Sequence, residues 1–239
     1  MNTGYANPYV VAEASASDRA VFIRKTYLHL AGAIGAFALL EWLLIGLFGK
    51  QLEPLIMMMV GSPVSWIAVL VVFGIAGTIA DRWARSETSR GMQYLGLGLY
   101  IVAQAVIFLP ILYLAAVWMG APEIIVQAGF ITGGLVLGLT AVAFVTKQDF
   151  SFLRGILAIG IPVALAVIVA SLIFSFPLGN LFAGAMVVMM AAAVLYTTSN
   201  MIHVYRTEQY VAASLALFAS IATMFFWILR ILISLAGRD

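Results

Sequence analysis

AVLYTTSNMIHVYRTEQYVAASLALFASIATMFFWILR, residues Ala193–Arg230, carries the ends of two long apolar runs, 180–202 and 211–236, on either side of a short polar break. Each run is near the twenty residues that cross roughly 30 Å of hydrocarbon as an α-helix, so the segment reads as a transmembrane hairpin. Thr197, Thr198, Ser199 and Asn200 close the first run, and Ser220 lies inside the second. Hydrocarbon tolerates such groups only where they face protein or water. They mark either an internal polar site or the seam between two packed helices.

The rest of the chain repeats the pattern. Of 239 residues, 64% are hydrophobic and only 9% charged, with a mean hydropathy of +1.10. No soluble core of this size could hide so much apolar surface, which makes the chain an integral membrane protein. Runs of spanning length fall at about 24–48, 63–82, 92–118, 125–146, 156–175, 180–202 and 211–236. A barrel would need short alternating segments instead. The expected fold is therefore an all-α bundle of seven transmembrane helices: residues 21–239 form one domain and residues 1–20 a flexible tail.

Charge orients the bundle. With the N-terminus in the cytoplasm, the inner segments carry Arg19, Arg24, Lys25, Arg82, Arg85, Arg90, Lys147, Arg154 and Arg206, and the outer ones only Lys50 and Arg238. Cytoplasmic loops are the ones enriched in Lys and Arg, so the bias places the N-terminus inside and the C-terminus outside. The isoelectric point near 9.0 is then a matter of topology and not of nucleic-acid binding. The tail lacks a short apolar region with a cleavage site and reads as a cytoplasmic extension.

Gly129, Gly133, Gly134 and Gly138, in GFITGGLVLGLT, form small-xxx-small pairs that allow close backbone approach, so the fourth span is expected at the centre. Pro110 and Pro162 each remove a backbone donor and predict kinks. Glu41 and Arg230 are the two acid or base side chains deep in hydrocarbon. They lie 17 and 19 residues from the inner starts at Arg24 and Val211, hence at similar depth; either they pair across the first and last helices, since a buried charge is costly unless matched, or each snorkels separately to the outer interface.

Thr198, Asn200, His203, Arg82 and Arg85 fall together at the cytoplasmic ends of their spans as a polar cluster. His29 and His203, without clustered carboxylates, make no convincing metal site. The chain has no cysteine, which excludes thiolate chemistry. Nucleophile elbows, HExxH, phosphate loops and intramembrane aspartate pairs are all lacking. Neither an enzyme nor a cofactor is expected.

Three segments carry a resemblance: FIRKTYLHLAGAI (22–34), GLTAVAFVTKQDFSFLRGIL (138–157), and LYTTSNMIH (195–203) followed by YVAASLALFASIATMFFWILRIL (210–232). Together they resemble the Bax inhibitor-1 family over nearly all of the chain after about residue 20. TKQDFSFL, the TSNMIH turn and the terminal Arg238-Asp239 are most similar to its bacterial YccA-like branch. The resemblance implies six helices around a central seventh. It also implies, for many members, a pH-sensitive calcium leak in which an aspartate of a Y-D-T motif shares a proton with one of an L-Y-L-D motif. Those positions here read Tyr196-Thr197-Thr198 and Leu217-Phe218-Ala219-Ser220, so both carboxylates are absent. Hydroxyls neither titrate near neutral pH nor match a carboxylate for calcium.

For the YccA-like branch the resemblance implies a different role, as substrate or modulator of the inner-membrane protease FtsH beside its stomatin-like partners. The expectation is thus a non-enzymatic regulatory protein of the bacterial inner membrane, in contact with lipid and linked to stress protection. Two alternatives stand beside it: a calcium or proton leak through other polar positions, and an accessory subunit of a larger membrane complex.

Overall fold

A computed structural model describes residues 10–237 of the chain. Among these residues the fold is all-α, with seven helices long and apolar enough to cross a membrane: α1 (Ala16–Val60), α2 (Pro63–Ala84), α3 (Arg90–Tyr113), α4 (Glu123–Thr146), α5 (Leu153–Phe174), α6 (Asn180–His203) and α7 (Tyr210–Ala236). Serine caps start the first three. The hydroxyls of Ser15, Ser62 and Ser89 accept from the backbone N–H of Asp18, Ser65 and Met92, satisfying donors that a helix N-terminus leaves free. Pro63, at the first turn of α2, lacks a donor where none is needed. Lys147 and Ser175 end α4 and α5 in the left-handed conformation, which breaks the helical hydrogen-bond ladder.

Two expected boundaries move. The first apolar run ends near 48, yet α1 continues to Val60 through Lys50 and Glu53. At about 1.5 Å per residue its 45 residues exceed the hydrocarbon thickness, so its ends project beyond the membrane. The extension is held by packing: Ile56 is buried with Leu109 and Tyr113. At the other end α1 begins at Ala16, and Val11 is fully buried with its N–H bonded to the Tyr205 carbonyl. Residues 10–20 are thus part of the described fold, and only residues 1–9 of the expected tail lie outside the described residues.

The centre is α7, as the resemblance implies, and not α4. Its buried positions, from Tyr210 to Leu229, face several sides, and it touches α1, α2, α3, α4 and α6. An aromatic spine locks the middle of the bundle. Phe108 on α3 meets Phe37 of α1 at 5.2 Å and Phe226 of α7 at 5.4 Å between ring centroids. Phe218 of α7 meets Phe37 at 5.9 Å and Tyr100 at 6.1 Å; edge-to-face rings at such distances add to the area they bury.

The glycines of α4 do not mediate close packing: a Cβ placed on Gly129, Gly133, Gly134 or Gly138 would meet nothing within 4 Å. The close approach occurs at Gly96 on α3. A Cβ there would lie 2.5 Å from the Ala80 carbonyl oxygen and 2.6 Å from the Ala84 nitrogen, so α2 and α3 nearly touch backbone to backbone. Pro110 is followed by a π-helical turn, Leu114–Trp118, whereas α5 runs through Pro162 unbroken.

Candidate functional site

The N-terminal segment and the α2–α3, α4–α5 and α6–α7 connections meet at one end of the bundle. Three ties hold them. The hydroxyl of Ser199 on α6 accepts from the Phe150 N–H at 3.1 Å and donates to the Gln148 carbonyl at 3.3 Å. His203, one turn on, donates from Nδ1 to the Ser199 carbonyl at 2.9 Å. TKQDFSFL and TSNMIH, remote in sequence, are therefore two halves of one clamp. The second tie is an ion pair from Arg206 to Glu87 at 2.9 Å, joining the α6–α7 and α2–α3 connections. The third is the Val11–Tyr205 bond with the antiparallel bridge of Val10 to Arg206.

The expected polar cluster is only partly assembled there. Arg85 pairs with Asp81 of its own helix at 2.9 Å, and that carboxylate raises the guanidinium above its ordinary value. Burial pushes the facing Tyr205 phenol upward as well, so near neutral pH Arg85 is a cation and Tyr205 an uncharged donor. The carbonyl of Asn200 caps the end of α6 by accepting from Val204 and Tyr205 N–H. Arg82 is exposed at the end of α2. His203 serves the clamp, and His29 is occupied by the Lys25 carbonyl at 2.7 Å and the Tyr94 hydroxyl at 3.2 Å.

Just inside this end lies a layer of hydroxyls. Thr197 is buried, and Ser220 donates to the Ala216 carbonyl one turn back in its own helix at 3.0 Å; no hydrogen bond joins the two among the described residues. Ser214 reaches across instead and bonds the Thr26 carbonyl of α1 at 3.0 Å and the Tyr210 carbonyl at 2.5 Å. Thr198 and Thr26 are both 0% exposed. Thr198 faces Tyr27, yet the hydroxyls of Thr26, Tyr27 and Thr198 all lack a partner in hydrogen-bonding geometry.

Glu41 and Arg230 are not brought together. Both carboxylate oxygens of Glu41 are buried without a partner. Arg230 donates to the Leu178 carbonyl of the α5–α6 connection and lies over the Trp227 ring, 5.4 Å from its centroid. Equal depth along two helices placed them in one layer, but rotation about each helix axis gave Arg230 a backbone acceptor nearer than the acid. The ion pair expected from depth alone is replaced by a capped loop and an unmatched carboxyl.

Among the described residues, no group of three or more His, Asp and Glu gathers to hold a metal. The clamp hydroxyl of Ser199 and the contact at Gly96 were not singled out in the sequence. The i, i+4 spacing of Ser199 and His203 beside a second polar inner motif is the signal that could have found the first.

A profile of the family described as inhibitor of apoptosis-promoting Bax1 matches residues 19–237. Bax inhibitor 1 of Schizosaccharomyces pombe is 27% identical over 244 residues, covering 98% of this chain and 84% of that protein. An Escherichia coli K12 protein named modulator of FtsH protease YccA is 35% identical over 114 residues, 44% of this chain and 51% of that protein. An uncharacterized membrane protein of Vibrio cholerae is 32% identical over 140 residues, 54% of this chain and 58% of its own length. The matched region thus spans about half the length of these two bacterial relatives. No solved structure matches the chain.

Proposed function

The chain belongs to the family of the inhibitor of apoptosis-promoting Bax1, and from that premise we propose that it is a non-enzymatic regulator of a bacterial inner membrane, a modulator or substrate of an FtsH-type protease. The observation that carries this reading is the state of the Thr197 and Ser220 positions. Neither side chain titrates near neutral pH, and Ser220 is turned back onto its own helix, so the shared-proton switch has no carboxylates to work with. The likeness to the E. coli protein named for FtsH modulation supplies the partner, and the positive-inside bias supplies the orientation, N-terminus in the cytoplasm.

On this reading the tied loops form a fixed cytoplasmic face, and the sequence preceding Val10 is the handle offered to the protease or its stomatin-like partners. Purification in mild detergent from the native host should retrieve an FtsH-type protease with the full chain and lose it when residues 2–9 are deleted. An intact chain that brings down no protease component counts against the reading.

A calcium or proton leak is the second reading, favoured by the buried hydroxyls of Thr26, Tyr27 and Thr198 in the layer that also holds Thr197. In dye-loaded liposomes it requires flux that rises with protein and changes in Thr197→Asp with Ser220→Asp. A silent wild type and a leaking double variant would mark the lost carboxylates as the cause.

A further inference from the structure

The end of the bundle opposite the tied loops is built around a break in the third span. Beyond Pro110, α3 passes into the π-helical turn Leu114–Trp118, a local widening of the kind that gathers at functional sites. The turn sets Trp118 against the far part of α1. Its indole donates from Nε1 to Glu53 Oε1 at 3.3 Å and meets the Tyr113 ring edge-on at 5.4 Å between centroids. The Tyr113 hydroxyl faces the same carboxylate, and its ring lies so close to α1 that a Cβ on Gly49 would come within 3.3 Å of it. Glu53 is thus held in place from α3.

Beside these groups lies an open cleft of about 770 Å³, bounded by Lys50, Glu53, Pro54, Met57, Val60 and Trp118. Indole and phenol are neutral donors, so they orient the Glu53 carboxylate without balancing its charge. Lys50 stands one helical turn before it. Among the described residues neither Lys50 nor Glu53 enters a salt bridge, and the cleft therefore presents one cation and one anion, each without a counter-ion. Their i, i+3 spacing puts the two Cβ atoms roughly 5–6 Å apart. Toward the hydrocarbon the cleft is flanked by Leu47, 59% exposed, and Val117, 47% exposed, where the apolar run of α1 ends.

We propose that this cleft binds the headgroup of a zwitterionic aminophospholipid, its phosphate on the Lys50 ammonium, its primary ammonium on the Glu53 carboxylate and its acyl chains along Leu47 and Val117. A two-carbon link between phosphate and ammonium suits side chains one turn apart. A headgroup that carries only a phosphate leaves Glu53 unmatched and sets a second anion beside it. A quaternary ammonium keeps the charge but has no N–H for a charge-assisted hydrogen bond to the carboxylate. A soluble phosphate ester lacks the chains that would cover the exposed apolar flank.

Native mass spectrometry of the full chain, released from micelles with dioleoyl lipids at equal concentration, reads the preference directly. Phosphatidylethanolamine should be retained about fivefold more tightly than phosphatidylcholine or phosphatidylglycerol, the scale of one half-exposed ion pair. Glu53→Gln should lower it to the level of phosphatidylcholine, since the amide keeps the shape and loses the charge. Lys50→Gln, which removes a side chain bonded to nothing in the fold, should cause the same loss, and it decides the matter should Glu53→Gln fold poorly. Equal retention of the three lipids would overturn the proposal and leave the cleft as ordinary lipid-facing surface. Tightest retention of phosphatidylglycerol would overturn it by making Lys50 a plain anion site. A preference that survives both substitutions would do the same, because Lys50 and Glu53 would then satisfy each other. Displacement by equimolar free phosphoethanolamine would overturn the lipid assignment, since the acyl chains would contribute nothing.

Discussion

At the residue scale, the useful distinction is between polar groups that bond another segment and polar groups that bond nothing. Ser199 belongs to the first kind: its one hydroxyl serves two backbone groups of the α4–α5 connection. Ser199→Ala leaves the Phe150 N–H without its acceptor in a part-buried setting, and we expect a loss of about 1–3 kcal/mol, read as a lower thermal midpoint. Proteolysis should rise selectively near Gln148. If both stay at wild-type values, the clamp contributes nothing. Glu41 belongs to the second kind. Removing an unsatisfied buried group relieves its desolvation cost, so Glu41→Leu should stabilise the fold by on the order of 1–3 kcal/mol, read as a higher thermal midpoint. A drop would mean that the carboxylate has a partner after all.

At the element scale, α2 and α3 form the closest-packed pair, and Gly96 is the reason. A methyl group there collides with backbone atoms of Ala80 and Ala84, which cannot yield as a flexible side chain would. Gly96→Ala should therefore destabilise, by about 1–3 kcal/mol or more as for other forced overpacking, while Gly129→Ala should be neutral or slightly stabilising, since alanine favours a helix over glycine by about 1 kcal/mol. Thermal midpoints of the two variants in one detergent decide it; the reverse order would restore α4 as the tightly packed span. The glycine pattern alone pointed to α4, because small-xxx-small spacing shows where a close approach is permitted and not where a neighbour has come. Hydropathy located the membrane segments well because lipid imposes length and composition on each span separately. It was silent about the extension of α1 to Val60, where Ile56 and its partners on α3 hold the helix together after the apolar run has ended. Rotation about a helix axis is likewise invisible to depth counting, and for that reason Glu41 and Arg230, level in the sequence, face different neighbours.

At the scale of the whole molecule, the ties at one end explain how motifs scattered over the chain act as a single marker. The positions of FIRKTY, TKQDFSFL and TSNMIH were legible in the sequence; that the last two bond each other was not, because α5 and most of α6 lie between Phe150 and Ser199. The same ties collect Arg19, Arg85, Lys147 and Arg206 at one end, so the charge bias turns into a statement about the direction of the whole bundle. The chain has no cysteine, and single cysteines can report that direction without a background. In intact spheroplasts a membrane-impermeant maleimide should label Lys50→Cys and Glu123→Cys at once, and Thr88→Cys and Gln148→Cys only after permeabilisation. Labelling in the opposite order would put the tied loops and the sequence before Val10 outside the cell. They would then be beyond the reach of a protease working from the cytoplasm, and the regulatory reading would fail with the topology.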